Sequence, residues 1–236
     1  MYRLGILPEG YIYPKEHRAV RDLLRRRLLF VRQRTAQILS LQSMISRNLG
    51  FKMSNNEIKK LKPEDIVQLF DCNNLMFMAT NSWATIEFLK HIIKGIEKRV
   101  KSQVKLRKEF EMLCTIPGIG NILGLTIMLE VGDIGRFPKV GDYSSYCRCV
   151  GSSRLSNGKK KGENNKKNGN KYLAWAYVEA AQFARRYCAK AQSFYHSKEA
   201  KTKPVVAVKA LSNKLSKASY YIMRDQVAFD EDKLFR

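Results

Sequence analysis

Ser156 stands at the head of the stretch S-N-G-K-K-K-G, with Lys159, Lys160 and Lys161 directly behind it. The run from Arg154 to Lys171 adds Lys166, Lys167 and Lys171 and contains a single acid, Glu163. A serine hydroxyl in such a field is surrounded by cations that favour its alkoxide and the phosphate it would attack. Composition alone does not make it a nucleophile, because such serines need a positioned base. No G-x-S-x-G elbow accompanies it. The same stretch also reads as a solvated basic loop.

A second candidate lies upstream, at Ile116-Pro117-Gly118-Ile119-Gly120. Two glycines there permit a tight left-handed turn that side chains would block. The turn would aim backbone N–H groups, with the N-terminus of the following helix, at one spot, and such a nest attracts an anion. The pattern is similar to a helix-hairpin-helix, which grips a DNA phosphate without reading bases. Leu113, Ile116, Ile119, Leu123, Ile127 and Leu129 would pack its two helices. A purely structural helical hairpin is the other reading, since glycine turns commonly join helices.

The charge of the chain favours a polyanionic partner. Its 236 residues hold 44 Lys+Arg against 21 Asp+Glu, a formal net charge of +23. Such an excess repels itself unless DNA or RNA relieves it, and an anionic membrane surface is the competing partner. No apolar run reaches the roughly 18 residues of a spanning helix, and the N-terminus lacks the apolar core of a signal peptide, so an intracellular protein is expected. A hydrophobic fraction of 44% excludes a disordered tail. Cys72, Cys114, Cys147, Cys149 and Cys188 are expected as reduced thiols. The Cys147-x-Cys149 pair lacks a second pair or grouped histidines, so it predicts no zinc site.

The elements that would position these residues read as helices. Residues 1–14 form a short extended piece around Tyr11-Ile12-Tyr13, and Pro14 opens a helix over 15–48. Leu24, Val31, Ile38 and Ile45 recur every seven residues, with Val20 and Leu28 beside them, as in a coiled coil. Arg18, Arg21, Arg25, Arg26, Arg27, Arg32 and Arg34 crowd its first half, either as a solvated face or as phosphate contacts. Gly50 ends it, two short pieces follow at 55–61 and 63–70, and a second long helix covers 75–101. Leu89, Ile93, Ile96 and Val100 give that helix its apolar stripe. The pair predicts an antiparallel hairpin able to pair protomers. Beyond 104, helices are expected at 105–115, 121–131 and 140–150. A loop follows at 151–171, then helices at about 171–198 and 203–227. Trp175, Val178, Ala181 and Ala184 or Arg185 would form the buried stripe of the first of these. Val208, Leu211, Leu215 and Ile222 would form that of the second. The fold class is mainly α.

LCTIPGIGNILGLTIMLEVGDIGRF followed by YCRCVGSSRLSNGKKKGENNKKNGNKYLAWAYVEAA resembles the C-terminal transposase domain of the Piv/MooV family, the insertion-sequence one-ten type of DNA recombinase. YRLGILPEGYIYPKEHRAVRDLLRRRLLFVRQRT resembles the segment that follows that family's catalytic N-terminal domain. The resemblance implies a DNA-binding transposase acting by serine-dependent strand transfer, with DNA, a structured guide RNA and further copies of itself (a dimer or tetramer) as partners, in the bacterial cytoplasm at the nucleoid. By position in the motif, Ser156 would be the nucleophile, with Ser152 and Ser153 as rivals. Gly118, Ile119 and Gly120, with Lys159, Lys160, Lys161, Lys166, Lys167 and Lys171, would hold DNA. The family's Mg²⁺ is bound by four acids of a RuvC-like N-terminal domain. Glu9, Glu16 and Asp22 do not match them, so no metal ligand is carried over. The resemblance therefore implies a chain lacking that domain. Residues 1–14 would be its remnant, 15–103 the helical hairpin and 104–236 the transposase domain. The alternative is a non-catalytic nucleic-acid-binding helical protein that regulates full-length enzyme.

Overall fold

The arginine-rich stretch forms helix α1, Lys15–Leu49, closed by Gly50 at a left-handed φ of +75°. The computed structural model describes residues 10–103, 108–151, 153–163 and 168–235, and it is mainly α. The chain divides into two compact units, Asp22–Val104 on the one hand and residues 1–21 with 105–236 on the other.

In the unit Asp22–Val104, α1 is followed by α2 (Asn55–Ile58), α3 (Pro63–Gln68) and the long α4 (Asn73–Gln103). Leu24, Leu28, Ile38 and Ile45 are buried, as the seven-residue repeat predicts, and Leu41 and Met44 join them. Val31 is half-buried. Along α4 the buried residues are Ala79, Ile86, Leu89, Ile93 and Val100, with Ile96 half-buried. Arg27 Nε donates to Glu97 Oε1 at 2.7 Å. The later part of α1 shares one core with the early part of α4, together with Ile58, Ile66 and Phe70. The two long helices are therefore antiparallel. Their connection is held by a reciprocal cap at Ser54 and Glu57 and by the Trp83 indole, which donates to the Leu61 carbonyl at 2.9 Å.

The other unit contains α5 (Lys108–Leu113), α6 (Asn121–Val131), a 3₁₀ turn (Ile134–Arg136) and α7 (Val140–Tyr146). A two-stranded sheet follows, β1 (Ser153–Ser156) and β2 (Lys159–Glu163). Then come α8 (Lys171–Tyr187), α9 (Ala189–Glu199), α10 (Pro204–Asp225) and the short α11 (Glu231–Leu234). Helix α10 packs on α5, α7, α8 and α9, so it is the axis of this unit. Its buried face carries Val208, Leu211, Leu215 and Ile222 as expected, and also Ser212, Ser216 and Ser219.

Several expectations are corrected here. Tyr11 to Tyr13 form no strand; the Tyr13 ring is buried and its hydroxyl donates to the Leu129 carbonyl at 2.5 Å. The expected helix over 140–150 stops at Tyr146, because Arg148 takes a left-handed φ of +55°. The helix expected over 171–198 is two helices, broken at Cys188, whose extended backbone and Sγ cap the Ala191 N–H. On α8 the expected Ala181 and Ala184 are buried, but the rest of the buried face is Leu173, Ala176, Tyr177 and Ala180, whereas Trp175 and Val178 are only half-buried. Small residues occupy that face because another stretch of backbone lies against it.

Candidate nucleic-acid interface

The basic stretch 151–171, expected as a loop, contains a β-hairpin. Ser156 and Lys159 are paired across its tip, and Asn157 and Gly158 between them have φ of +49° and +71°. Two positive φ values in a two-residue connection make a type I′ turn, for which Asn-Gly is the favoured pair. Gly162, at φ +147°, faces Arg154 in the register beside an irregularity at Arg154/Leu155.

Ser156 is exposed at the end of β1, and Lys159, its partner in the register, is exposed at the start of β2. Residues opposed in an antiparallel pair project from the same face, their Cβ atoms about 4.5–5.5 Å apart. The spacing Ser-x-x-Lys thus puts a hydroxyl and an ammonium side by side across the turn. The pairing was readable in the sequence only through the Asn-Gly dipeptide. Lys161 is exposed on β2, and Lys160 lies opposite Leu155 in the register. Lys171 is the exposed first residue of α8, its Nζ 5.2 Å from the centre of the Tyr172 ring. Ser152, Lys166 and Lys167 lie outside the described residues.

The hairpin is fixed at its base by residues that charge reading did not single out. Arg148 donates from Nε to the Asn168 carbonyl and from Nη2 to the Gly169 carbonyl, both at 3.0 Å. The Asn170 N–H donates to the Tyr146 carbonyl at 2.7 Å. The Asn170 side chain caps α8, accepting from Tyr172 and Leu173 N–H, and its Nδ2 donates to Oε2 of buried Glu130 at 2.7 Å. Asparagine before a helical run is a legible cap signal; the long-range bond to Glu130 is not.

The P-G-I-G segment joins α5 to α6. Gly118 has a φ of +87°, as the turn reading requires. Gly120 does not; it is the extended N-cap of α6, at φ −88° and ψ −179°. A Cβ built at Gly118 would lie 2.2 Å from the Ala180 carbonyl oxygen and 2.7 Å from the Ala184 nitrogen. Gly118 is therefore pressed against the backbone of α8, which explains the alanine-rich face of that helix. Ile119 is buried beneath the turn, while Gly120 and Asn121 are exposed at the start of α6. From Lys171 to the Ala180–Ala184 contact is about 17 Å of helix, so hairpin base and turn do not converge on one atom. They sit at different levels of the same helix.

The arginines of α1 are partly committed. Arg18 Nη2 donates to the Tyr13 carbonyl at 3.0 Å, the Arg21 guanidinium lies 4.0 Å from the Tyr13 ring centre, and Arg27 bonds Glu97. Arg26 and Arg32 are exposed. Cys147 and Cys149 are buried beside a hydroxyl core in which Tyr143 and Tyr177 share a hydrogen bond of 2.5 Å. Burial pushes the Cys149 thiol up to about 11, and burial followed by the nearness of Cys149 pushes Cys147 well above the thiol range. Among the described residues no group of three or more His, Cys, Asp or Glu could hold a metal ion. Among them, too, no helix is long and apolar enough to cross a membrane.

Residues 110–196 match the model of the Transposase IS116/IS110/IS902 family. That stretch runs from α5 through both glycine turns to α9, and so covers the turn, the hairpin and the helix that carries them. The match supports a C-terminal transposase domain of that family, and with it a transposase or recombinase of an insertion element. No curated protein sequence matches the chain.

Proposed function

We propose that the chain acts on insertion-element DNA by serine-dependent strand transfer, with Ser156 as the nucleophile. The observation that carries this reading is the Ser156–Lys159 pair across the exposed tip of a hairpin that lies within the family match. The Ser156 Oγ attacks a backbone phosphorus, and the P–Oγ bond forms as the bond to one deoxyribose oxygen breaks. The serine proton is lost and the departing sugar oxygen takes one up. The phosphoserine link stores the bond, so that attack by another sugar hydroxyl rejoins the strand. Lys159, with Lys160 and Lys161 on β2, holds the charge of the phosphate under attack. Gly120 and the first turn of α6 supply N–H groups to a second phosphate. Lys171 extends the cationic surface, and Lys166 and Lys167 are assigned to DNA by their place in the motif alone.

The supporting partners are insertion-end DNA, a structured guide RNA and a second copy of the chain; the seam at Leu24, Val31, Ile38 and Ile45 is largely buried within the chain's own helical unit and so does not supply the pairing surface. The deciding experiment incubates the chain with labelled insertion-end DNA and resolves it under denaturing conditions. A covalent adduct is expected that Ser156→Ala abolishes and Ser152→Ala retains. An adduct that survives Ser156→Ala would overturn the assignment. Tight binding with no adduct in any variant would instead support the non-catalytic regulator.

A further inference from the structure

A groove of about 1010 Å³ opens between α8, α9 and the first turns of α10, and reaches the chain at Gly151, where it enters the hairpin. Its walls are apolar, from Val178, Val206 and their neighbours, with the ring of Tyr195 at one side. Two cations rim it, Arg185 and Lys209, and no Asp or Glu lines it. The Arg185 guanidinium lies 4.7 Å from the Tyr195 ring centre, which holds it over the groove wall. Asn213 also lines it. Val205 and Val206, 79% and 51% exposed, leave apolar surface open at the groove mouth.

The combination selects its occupant. A lone phosphate has no use for apolar walls, and an apolar peptide has no use for Arg185 and Lys209. A duplex is too wide to enter, since its bases are stacked and paired. An unpaired nucleotide satisfies each feature: a base against Val178, Val206 and the Tyr195 ring, and a phosphate between Arg185 and Lys209. We propose that this groove binds one unstacked nucleotide of the DNA strand handled at the neighbouring hairpin. The proposal rests on the strand-transfer reading above, because it is that reaction which exposes single-stranded DNA near Ser156. Unstacking costs free energy, and the groove returns part of it, which fixes the strand in register.

The test measures binding of the full chain to a fluorescent twelve-nucleotide thymidine oligomer and to a duplex of the same length. Val206→Trp fills the groove from an exposed position, and Lys209→Ala removes a cation. Each is expected to weaken oligomer binding at least tenfold while leaving the duplex within twofold. Thymidine monophosphate, but not inorganic phosphate, is expected to compete for the unmodified groove. Equal losses for oligomer and duplex would overturn the proposal in favour of a general cationic surface. No loss for either, with Val206→Trp changing the sedimentation of the chain, would overturn it in favour of a second copy. Failure of the strand-transfer reading shows separately, since it is read by the covalent adduct and not by affinity.

Discussion

Gly118 and Gly158 both hold left-handed backbone, at φ of +87° and +71°, yet their surroundings are opposite. Gly118 is wedged against the peptide groups of Ala180 and Ala184, where a methyl group has no room. Gly158 has nothing within 4 Å of the place a Cβ would take. One turn is a joint that locks α5 and α6 onto α8, and the other is a tip that displays Ser156 and Lys159 to solvent. Glycine in a basic chain therefore does two separate jobs, close backbone approach and sharp reversal, and only neighbouring atoms tell them apart.

This contrast can be broken by substitution. Gly118→Ala combines left-handed strain with overpacking against backbone that cannot yield, and is expected to cost roughly 3 kcal/mol or more, read as a fall in the urea midpoint. Asn170→Ala removes the α8 cap and one donor from the buried Glu130 carboxylate, for about 2 kcal/mol by the same measurement. Gly158→Ala strains the tip alone, by about 1 kcal/mol, and should leave the midpoint of the helical unit nearly unmoved. A midpoint shift as large as that of Gly118→Ala would erase the distinction between joint and tip. Lys159→Ala combined with Lys161→Ala is expected to leave stability unchanged and to lower the salt slope of DNA binding by about 2, checked by titration across ionic strengths.

The gentlest probe is pH. The Cys149 thiol is held up at about 11 by burial, so the folded chain keeps that proton where the unfolded chain has lost it. Its contribution is complete below the ordinary thiol value and drains away as pH rises from about 9 to about 11. Urea midpoints at pH 8 and pH 10.5 should differ in that sense. At pH 8, exposed Cys72 should alkylate well before buried Cys147 and Cys149, as peptide mass spectrometry would read directly.

Much of the helical architecture is legible in the sequence where large side chains carry it. The repeat from Leu24 to Ile45 and the stripe from Leu89 to Val100 emerge because bulky residues recur at helical spacing. Part of the face of α8 is hidden because alanines carry it. Ala181 and Ala184 are read as buried and are so, but Ala176 and Ala180 are buried by what approaches them, and hydrophobicity alone points to Trp175 and Val178 in their place. The break at Cys188 is hidden for a related reason, since no glycine or proline marks it and a thiol serves as the cap. The hairpin is masked by its lysines, although Asn157-Gly158 announces the turn. At the candidate site, Ser156 and the lysines stand out by type and charge. Arg148 and Glu130 do not, because their roles depend on partners far along the chain.

The fastening at Arg148, Gly169 and Asn170 gives the segment between them an unusual freedom. Its two feet are already tied to the end of α7 and the start of α8, so beyond buried Cys149 the core does not depend on the hairpin that lies in between. Closure entropy grows only slowly with length, and each doubling of an insert costs about 0.6 kcal/mol. The stretch between the feet thus behaves as an exchangeable cassette. Shorter, longer or differently charged versions could be spliced into the same scaffold, and specificity could drift there while the helices beneath stay as they are.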